Sequence, residues 1–161
     1  MHLVKIDDEL LADASEIRRA EWQTLMSLFL ESQNEQAPVQ DAHCLHLRLC
    51  DETICLSLQT ESGQSLSDHA ISRASISELT YEYINIVSQL MQVEEQWNSH
   101  RLQALDMAKK SVHDAAAREL QERCPQLGLS QKSARYLFSL MVSLLIDTTK
   151  LLGVHSHPSF R

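Results

Sequence analysis

Residues 14–32 form the first regular pattern of apolar and polar positions in the chain. Apolar side chains recur there at helical intervals, at Ile17, Leu25, Leu28 and Phe29, with Trp22 and Met26 beside them. Asp13 or Ser15 can cap the start of such a helix. The polar segment 32–42, which contains Pro38, then predicts a loop.

The period changes to two after residue 43, which is typical of strands with one buried face. A hairpin that turns at Asp51 and Glu52 would pair Leu49 with Ile54, Leu47 with Leu56 and Leu45 with Leu58. All three pairs fall on the same face, which supports this register. A short third strand is predicted near residues 67–73.

The rest of the sequence predicts three helices, over about 75–98, 100–123 and 131–151. Ser75 or Ser77 is the predicted cap of the first, and Ser130 caps the third. Gly128 follows the second helix, and Gly153 ends the third. The fold class is therefore α+β, in the order α-β-β-β-α-α-α: a β-hairpin or three-stranded antiparallel sheet packs against four helices.

Length and composition fit one domain over residues 1–161, with 1–12 and 152–161 as peripheral tails. The chain is 43% hydrophobic and 22% charged, which is ordinary globular usage. Its net charge of −8 opposes binding to nucleic acid or to anionic lipid. The longest apolar stretch, 137–146, is too short to span a bilayer. We therefore expect no nucleic-acid partner and no membrane partner.

The first residues contain acids and no apolar run of signal-peptide length, so the sequence predicts a cytoplasmic protein. The four cysteines are then expected to be reduced thiols.

Two segments resemble a known family. The sequence LQALDMAKKSVHDAAARELQERC (102–124), followed by SARYLFSLMVSLL (133–145), is similar to an uncharacterised protein family common in alphaproteobacteria. That family has a pattern like ALDMGRRGLH, followed some twenty residues later by ARRLFTL. The matching positions are Ala104, Leu105, Asp106, Met107, Lys109, Lys110, His113, Ala134, Arg135, Leu137, Phe138 and Leu140. IDDELL (6–11) and Tyr83 extend the resemblance to the rest of the chain.

This chain departs from the family pattern at several positions. A basic pair of the family is replaced by Ser77 and Glu78, and Ser111 stands where the family has a glycine. The tail from Asp147 onward runs past the usual end of the family. The resemblance implies a bacterial origin and no particular activity, since the family has none established.

One polar cluster is a candidate site for an anion or other ligand. Asp106, Lys109, Lys110 and His113 are spaced i, i+3, i+4 and i+7, so a helix places them on one face. Arg135 from the last helix can join them. Three potential cations beside one acid can hold a phosphate or carboxylate, with His113 titrating near neutral pH. The alternative is a solvated helix face in which Asp106 pairs with a lysine.

His113 and Asp114 also form an HD dipeptide, as in metal-dependent phosphohydrolases. His69 or His100, together with Asp147, would complete such a site, and its metal would activate water. A lone HD dipeptide is common by chance, so we predict no metal and no cofactor.

Two further groups contain soft metal ligands. The outer hairpin face has Cys44, His46, Cys50 and Cys55, but without the CxxC spacing of zinc sites. A sheet face covered by the first helix is the favoured interpretation. His155 and His157 lie in the tail, where a frayed end is expected.

The predicted function is a non-enzymatic protein-interaction or regulatory module, with a homodimer as the expected state. The last helix is apolar around much of its circumference, which requires burial by the core or by a partner. The chain has only three glycines, far apart, so neither GxGxxG nor a P-loop can be formed. The alternative is a metal-dependent or anion-binding enzyme, like the phosphohydrolases, acting on a phosphorylated metabolite at the Asp106–His113 face.

Overall fold

The structure, a computed structural model, describes residues 1–94 and 99–151, with the backbone alone at 93 and 94. Its elements in chain order are β1 (Leu3–Ile6), α1 (Asp8–Asp13), α2 (Glu16–Asn34), β2 (Cys44–Cys50), β3 (Thr53–Gln59), β4 (Ser65–Ser72), α3 (Arg73–Glu94), α4 (Ser99–Arg123) and α5 (Gln131–Leu145). The α+β class is confirmed. The last helix was predicted to run to about residue 151 but ends at Leu145, because Ile146 adopts an extended conformation with φ −133° and ψ 133°. Gly153 and the predicted end of the helix near residue 98 lie outside the described residues.

The sheet has four strands in the order β1-β2-β3-β4. The β2–β3 hairpin has the predicted register, with Leu49 opposite Ile54 and Leu47 opposite Leu56. Asp51 adopts φ +54° and so makes the tight turn that would favour glycine or asparagine. The inner face of this hairpin is buried in the main apolar cluster, which places the core between sheet and helices.

Residues 1–12, predicted as a peripheral tail, instead form β1 and α1. Strand β1 pairs in parallel with β2, so the sheet is mixed and has one strand more than predicted. Met1, Val4 and Ile6 are buried. Two alternating apolar positions are too few to establish a strand period, so only the contact with β2 selects this conformation.

The helix after the sheet begins earlier than predicted. Strand β4 runs directly into α3, and the backbone N–H of Ser75 donates to the Ser72 hydroxyl at 3.2 Å. Ser72, rather than Ser75 or Ser77, therefore lies at the start of the helix. Two predicted N-caps are confirmed: the Ser15 hydroxyl accepts from the Arg18 N–H, and Ser130 forms a capping box with Ser133.

The apolar last helix is buried inside its own chain. Helix α5 packs against α2 on one side and against α4 on the other, while α4 packs against α3. Nine of its residues are buried: Ser133, Ala134, Leu137, Phe138, Leu140, Met141, Val142, Ser143 and Leu144. Among the described residues, no helix has the length and apolar character needed to cross a bilayer.

Side chains of α2 close the C-terminal end of α5. The Arg18 guanidinium donates to the carbonyl oxygens of Ser143 at 2.9 Å and Leu144 at 3.2 Å. The same guanidinium lies 4.9 Å from the centre of the Trp22 ring. These contacts satisfy carbonyls that have no partner within the helix, which fixes α2 against α5.

A second long-range contact holds the turn before α5. The Gln33 amide donates to the carbonyls of Leu127 at 3.1 Å and Gly128 at 2.9 Å. Gly128 has φ +56°, and a Cβ at this position would lie 2.9 Å from Val39 Cγ2. Both the conformation and the space therefore require glycine.

Candidate functional site

The candidate polar residues of α4 differ in their exposure. Asp106 and Lys110 are exposed, whereas Lys109 and His113 are half-buried. Among residues 1–94 and 99–151, Asp106 and Lys110 have no hydrogen-bond or ion-pair partner, so the expected pairing of Asp106 with a lysine is not formed. These two charges are therefore available to solvent or to another molecule.

His113 turns inward, into an aromatic cluster built from three helices. Its ring stacks on Tyr83 of α3, with centroids 4.9 Å apart and planes at 28°. Phe138 of α5 meets the His113 ring edge-on at 6.1 Å and the Tyr83 ring at 5.8 Å. The imidazole thus joins α3, α4 and α5 through packing.

This environment disfavours the charged imidazole. The Nε2 atom is buried without a hydrogen-bond partner among the described residues. Burial is the main cause that lowers the pKa of His113 from 6.5 to about 4, and the neighbouring Lys109 and Arg135 act in the same direction. His113 is therefore neutral at pH 7 and does not titrate near neutral pH as the sequence suggested.

Arg135 is engaged with the acid next to His113. Its Nε donates to an Asp114 carboxylate oxygen at 2.7 Å, and its Nη2 donates to the same oxygen. The Gln131 amide donates to that oxygen at 3.0 Å. These hydrogen bonds, from Gln131 first and then Arg135, lower the pKa of Asp114. Arg135 therefore clamps α5 to α4, and it is not directed toward Asp106.

None of the five candidates lines either of two clefts in the described part of the chain. One cleft, of about 780 Å³, lies beside the loop before β2, where it is lined by Pro38, Asp41 and His43. The other, of about 320 Å³, lies along β4 beside Arg123 and Cys124. Neither cleft brings the α4 candidates together, and the phosphohydrolase alternative has no support from them.

The proposed metal ligands are likewise not assembled. Within the described ranges, no three His, Cys, Asp or Glu side chains are grouped so that they can hold an ion. Asp114, the acid of the HD dipeptide, binds Arg135, and Asp147 pairs with Lys150 at 3.4 Å. His155 and His157 lie outside the described residues.

The outer hairpin face is open at the end near the turn, whereas Cys44 and Ser57 at its other end are buried. Arg48 and Cys50 are exposed there, and Cys55 is half-exposed. Partial burial and, after it, a hydrogen bond with the Cys50 thiol raise the pKa of Cys55. Burial also raises the pKa of Cys124, which lies on the opposite side of the sheet, to about 11. All four cysteines are free thiols.

The structure reveals an exposed surface that the sequence interpretation missed, on the first half of α4. Every side chain from residue 99 to 104 is exposed, and Met107 is 67% exposed. The main apolar cluster includes only Ala116 and Leu120 of α4, both in its second half. Met107 lies four residues after Gln103 and three residues before Lys110. This helical spacing in the sequence could have shown that Gln103, Met107 and Lys110 lie on one side of α4.

A comparison with protein families gives one match. The model of an uncharacterised protein family (UPF0262) matches residues 1–147. The match ends at Asp147, which is where the tail that was predicted to run past the usual end of the family begins.

Several curated relatives are similar to this chain. A UPF0262 protein of Xanthobacter autotrophicus is 25% identical over 108 residues, which are 66% of each chain. One of Paracoccus denitrificans is 25% identical over 64% of each chain, and one of Ruegeria pomeroyi is 22% identical over 73% of this chain and 74% of the relative. The matched stretch thus spans slightly under two thirds of the first two relatives. No solved structure matches the chain.

Proposed function

The chain belongs to the uncharacterised protein family UPF0262, and we propose that it is a non-enzymatic, cytoplasmic interaction module that forms a homodimer through the exposed surface of α4. The contact surface in this proposal differs from the one expected from sequence. Because α5 is buried by α2 and α4, its apolar side chains need no partner. A partner surface therefore has to be found elsewhere on the molecule.

The observation that supports α4 is the exposure of its first half. Leu102 and Met107 are two of only six large apolar side chains that are exposed among the described residues. A helix segment that packs on one neighbour and is solvated elsewhere gains little stability from burial. If α3 and α4 packed against α3 and α4 of a second copy, the exposed side of α4 would be buried as in a four-helix bundle.

The chemistry of the same surface supports a binding role over a catalytic one. Asp106 and Lys110 are exposed on helix α4, and neither lines the cleft beside the loop before β2 or the cleft along β4. His113 and Arg135, which an anion site would require, are engaged in contacts that hold α4 to α3 and α5. We assign these two residues a structural role and assign Asp106 and Lys110 to the contact surface, with Lys109 at its border.

Free thiols are consistent with the cytoplasmic part of the proposal. Cys44 and Cys124 are buried and Cys50 is exposed, and none is in a disulfide. Reduced cysteines are typical of cytosolic proteins.

The oligomeric state tests the proposal. Light scattering behind size exclusion should give the mass of two 18.3-kDa chains for the wild type. Met107→Glu should lower the mass to that of one chain, because it places a carboxylate at the centre of the contact. Ile17→Glu is the matched control: Ile17 of α2 is 70% exposed, and its substitution should leave the dimer intact.

Circular dichroism of each variant establishes that it is folded, since both substitutions are at exposed positions. A wild-type chain that stays monomeric over the whole accessible concentration range contradicts the proposal. So does a dimer that Met107→Glu leaves unchanged or that only Ile17→Glu disrupts.

A further inference from the structure

We infer that the partner of α4 is the α4 helix of a second copy, running antiparallel, with Asp106 of each chain paired to Lys110 of the other. This inference rests on the proposed function and specifies the geometry of the contact. It assigns a role to two charges that have no partner within the described residues of their own chain.

The contact surface is a stripe of four residues along the first half of α4: Gln103, Asp106, Met107 and Lys110. Their spacing of i, i+3, i+4 and i+7 places them on one side of the helix, and all four are exposed. Residues with this spacing form one face of a helix, along which a second helix can lie. The stripe has an apolar centre at Met107 and one charge of each sign beside it.

The order of these charges distinguishes the two ways in which a pair of helices can align. In a parallel pair, equivalent residues meet, so Asp106 would face Asp106 and Lys110 would face Lys110. Like charges in contact disfavour association. In an antiparallel pair centred between residues 106 and 110, each carboxylate faces the ammonium group of the other chain. The stripe is therefore self-complementary only in the antiparallel direction.

The distances along the helix allow this pairing over a small range of registers. Residues 106 and 110 are separated by about 6 Å at a rise of about 1.5 Å per residue. If the two-fold axis shifts by one or two residues, Asp106 of one chain and Lys110 of the other are offset along the helix axis by at most roughly one helical turn. The long side chain of lysine can bridge such an offset. Met107 lies beside the axis in all of these registers, so its thioether is buried against the second copy.

No competing partner within the described residues takes up these charges. Lys110 contributes to the electrostatic environment of Asp114, but that carboxylate is already bound by Arg135 and Gln131. Asp106 is exposed. The isologous arrangement, in which the same patch serves both chains, is the usual one for two-fold dimers.

Charge reversal provides a direct test. Asp106→Lys gives a chain with two positive charges on the stripe, and Lys110→Asp gives one with two negative charges. Each variant alone should dimerise roughly 10- to 100-fold more weakly than the wild type, because both pairs become repulsive. The double variant, Asp106→Lys with Lys110→Asp, restores opposite charges and should recover most of the affinity.

Mixing the two single variants is the decisive experiment. The Asp106→Lys chain is complementary to the Lys110→Asp chain at both positions, so the mixture should form a heterodimer that neither variant forms by itself. Labelling the two chains with different fluorophores and measuring energy transfer detects it. Glu61→Lys, a charge change of the same size at an exposed turn between β3 and β4, should leave wild-type association unchanged.

The outcomes separate the two levels of the argument. If the wild type dimerises and Met107→Glu disrupts the dimer, but the single charge variants associate normally or their mixture gives no heterodimer, the antiparallel register is wrong and the proposed function stands. If the wild type is monomeric, both are wrong. Weak single variants together with a strong mixed heterodimer support both.

Discussion

Lowering the pH should destabilise this protein through His113 specifically. The imidazole lies between Tyr83 and Phe138, with Lys109, Arg135 and Asp114 as its charged neighbours. Well above pH 6.5 the imidazole is neutral in both the folded and the unfolded chain and contributes no pH dependence. Below that value the unfolded chain binds a proton that the folded chain accepts only near pH 4, so stability is lost as the pH falls from 6.5 toward 4.

The size of the effect follows from the two pKa values. With 6.5 for the unfolded chain and about 4 for the folded one, linkage gives a loss of about 2 kcal/mol between pH 7.5 and pH 5. Other groups act in the same range. The pKa of Glu21 is raised by burial, and that of Asp147 is lowered, mainly by a hydrogen bond from Thr149. The contribution of His113 therefore has to be measured as a difference between two proteins.

His113→Phe supplies that difference because it keeps an aromatic ring against Tyr83 and removes the titrating group. Urea unfolding followed by circular dichroism, at fixed protein concentration and at several pH values, gives the free energy of unfolding of both proteins. We expect the wild type to lose about 2 kcal/mol more than the variant between pH 7.5 and pH 5. Equal pH dependence in the two proteins would show that the imidazole is solvated and not enclosed by aromatic rings.

Three further predictions concern stability and thiol reactivity. Gly128→Ala should lower the free energy of unfolding by about 1–3 kcal/mol in a urea titration, because the left-handed backbone and a close contact both oppose a side chain, whereas Gly63→Ala meets no neighbouring atom and should cost less. Arg18→Met should cost about 2–3 kcal/mol by the same measurement, since it removes two charged hydrogen bonds to the end of α5; an unchanged midpoint would contradict that role. In the folded protein Cys50 should react with a disulfide reagent much faster than Cys124, which is fully buried, and equal rates would refute the burial.

The hairpin register could be read from the sequence because the information is local. Three apolar pairs on one face, separated by a two-residue turn, allow a single alignment. Strand β1 contains only two buried alternating residues, Val4 and Ile6, and its parallel pairing with β2 joins segments about 40 positions apart. The local alternation of apolar and polar residues does not predict such a long-range contact, so strand β1 was not predicted.

The candidate site shows the same division between local and long-range information. Helical spacing correctly placed Asp106 and Lys110 on one face of α4. It also placed His113 there, although Tyr83 and Phe138, which approach from two other helices, draw its ring inward. The pattern of α5 required burial but did not identify the covering elements, which proved to be α2 and α4 of the same chain. Exposure of Met107 became apparent only once that packing was known.

Zero-length cross-linking between isotopically distinct chains tests the self-association of α4 most directly. Unlabelled and nitrogen-15-labelled wild-type protein are mixed, treated with a carbodiimide that joins carboxylates to amines in contact, and digested for mass spectrometry. We predict a cross-link from Asp106 to Lys110 that contains one light and one heavy peptide. Cross-links that join only light to light or heavy to heavy peptides would contradict the antiparallel α4 dimer. So would cross-links between the two chains that involve only other surfaces.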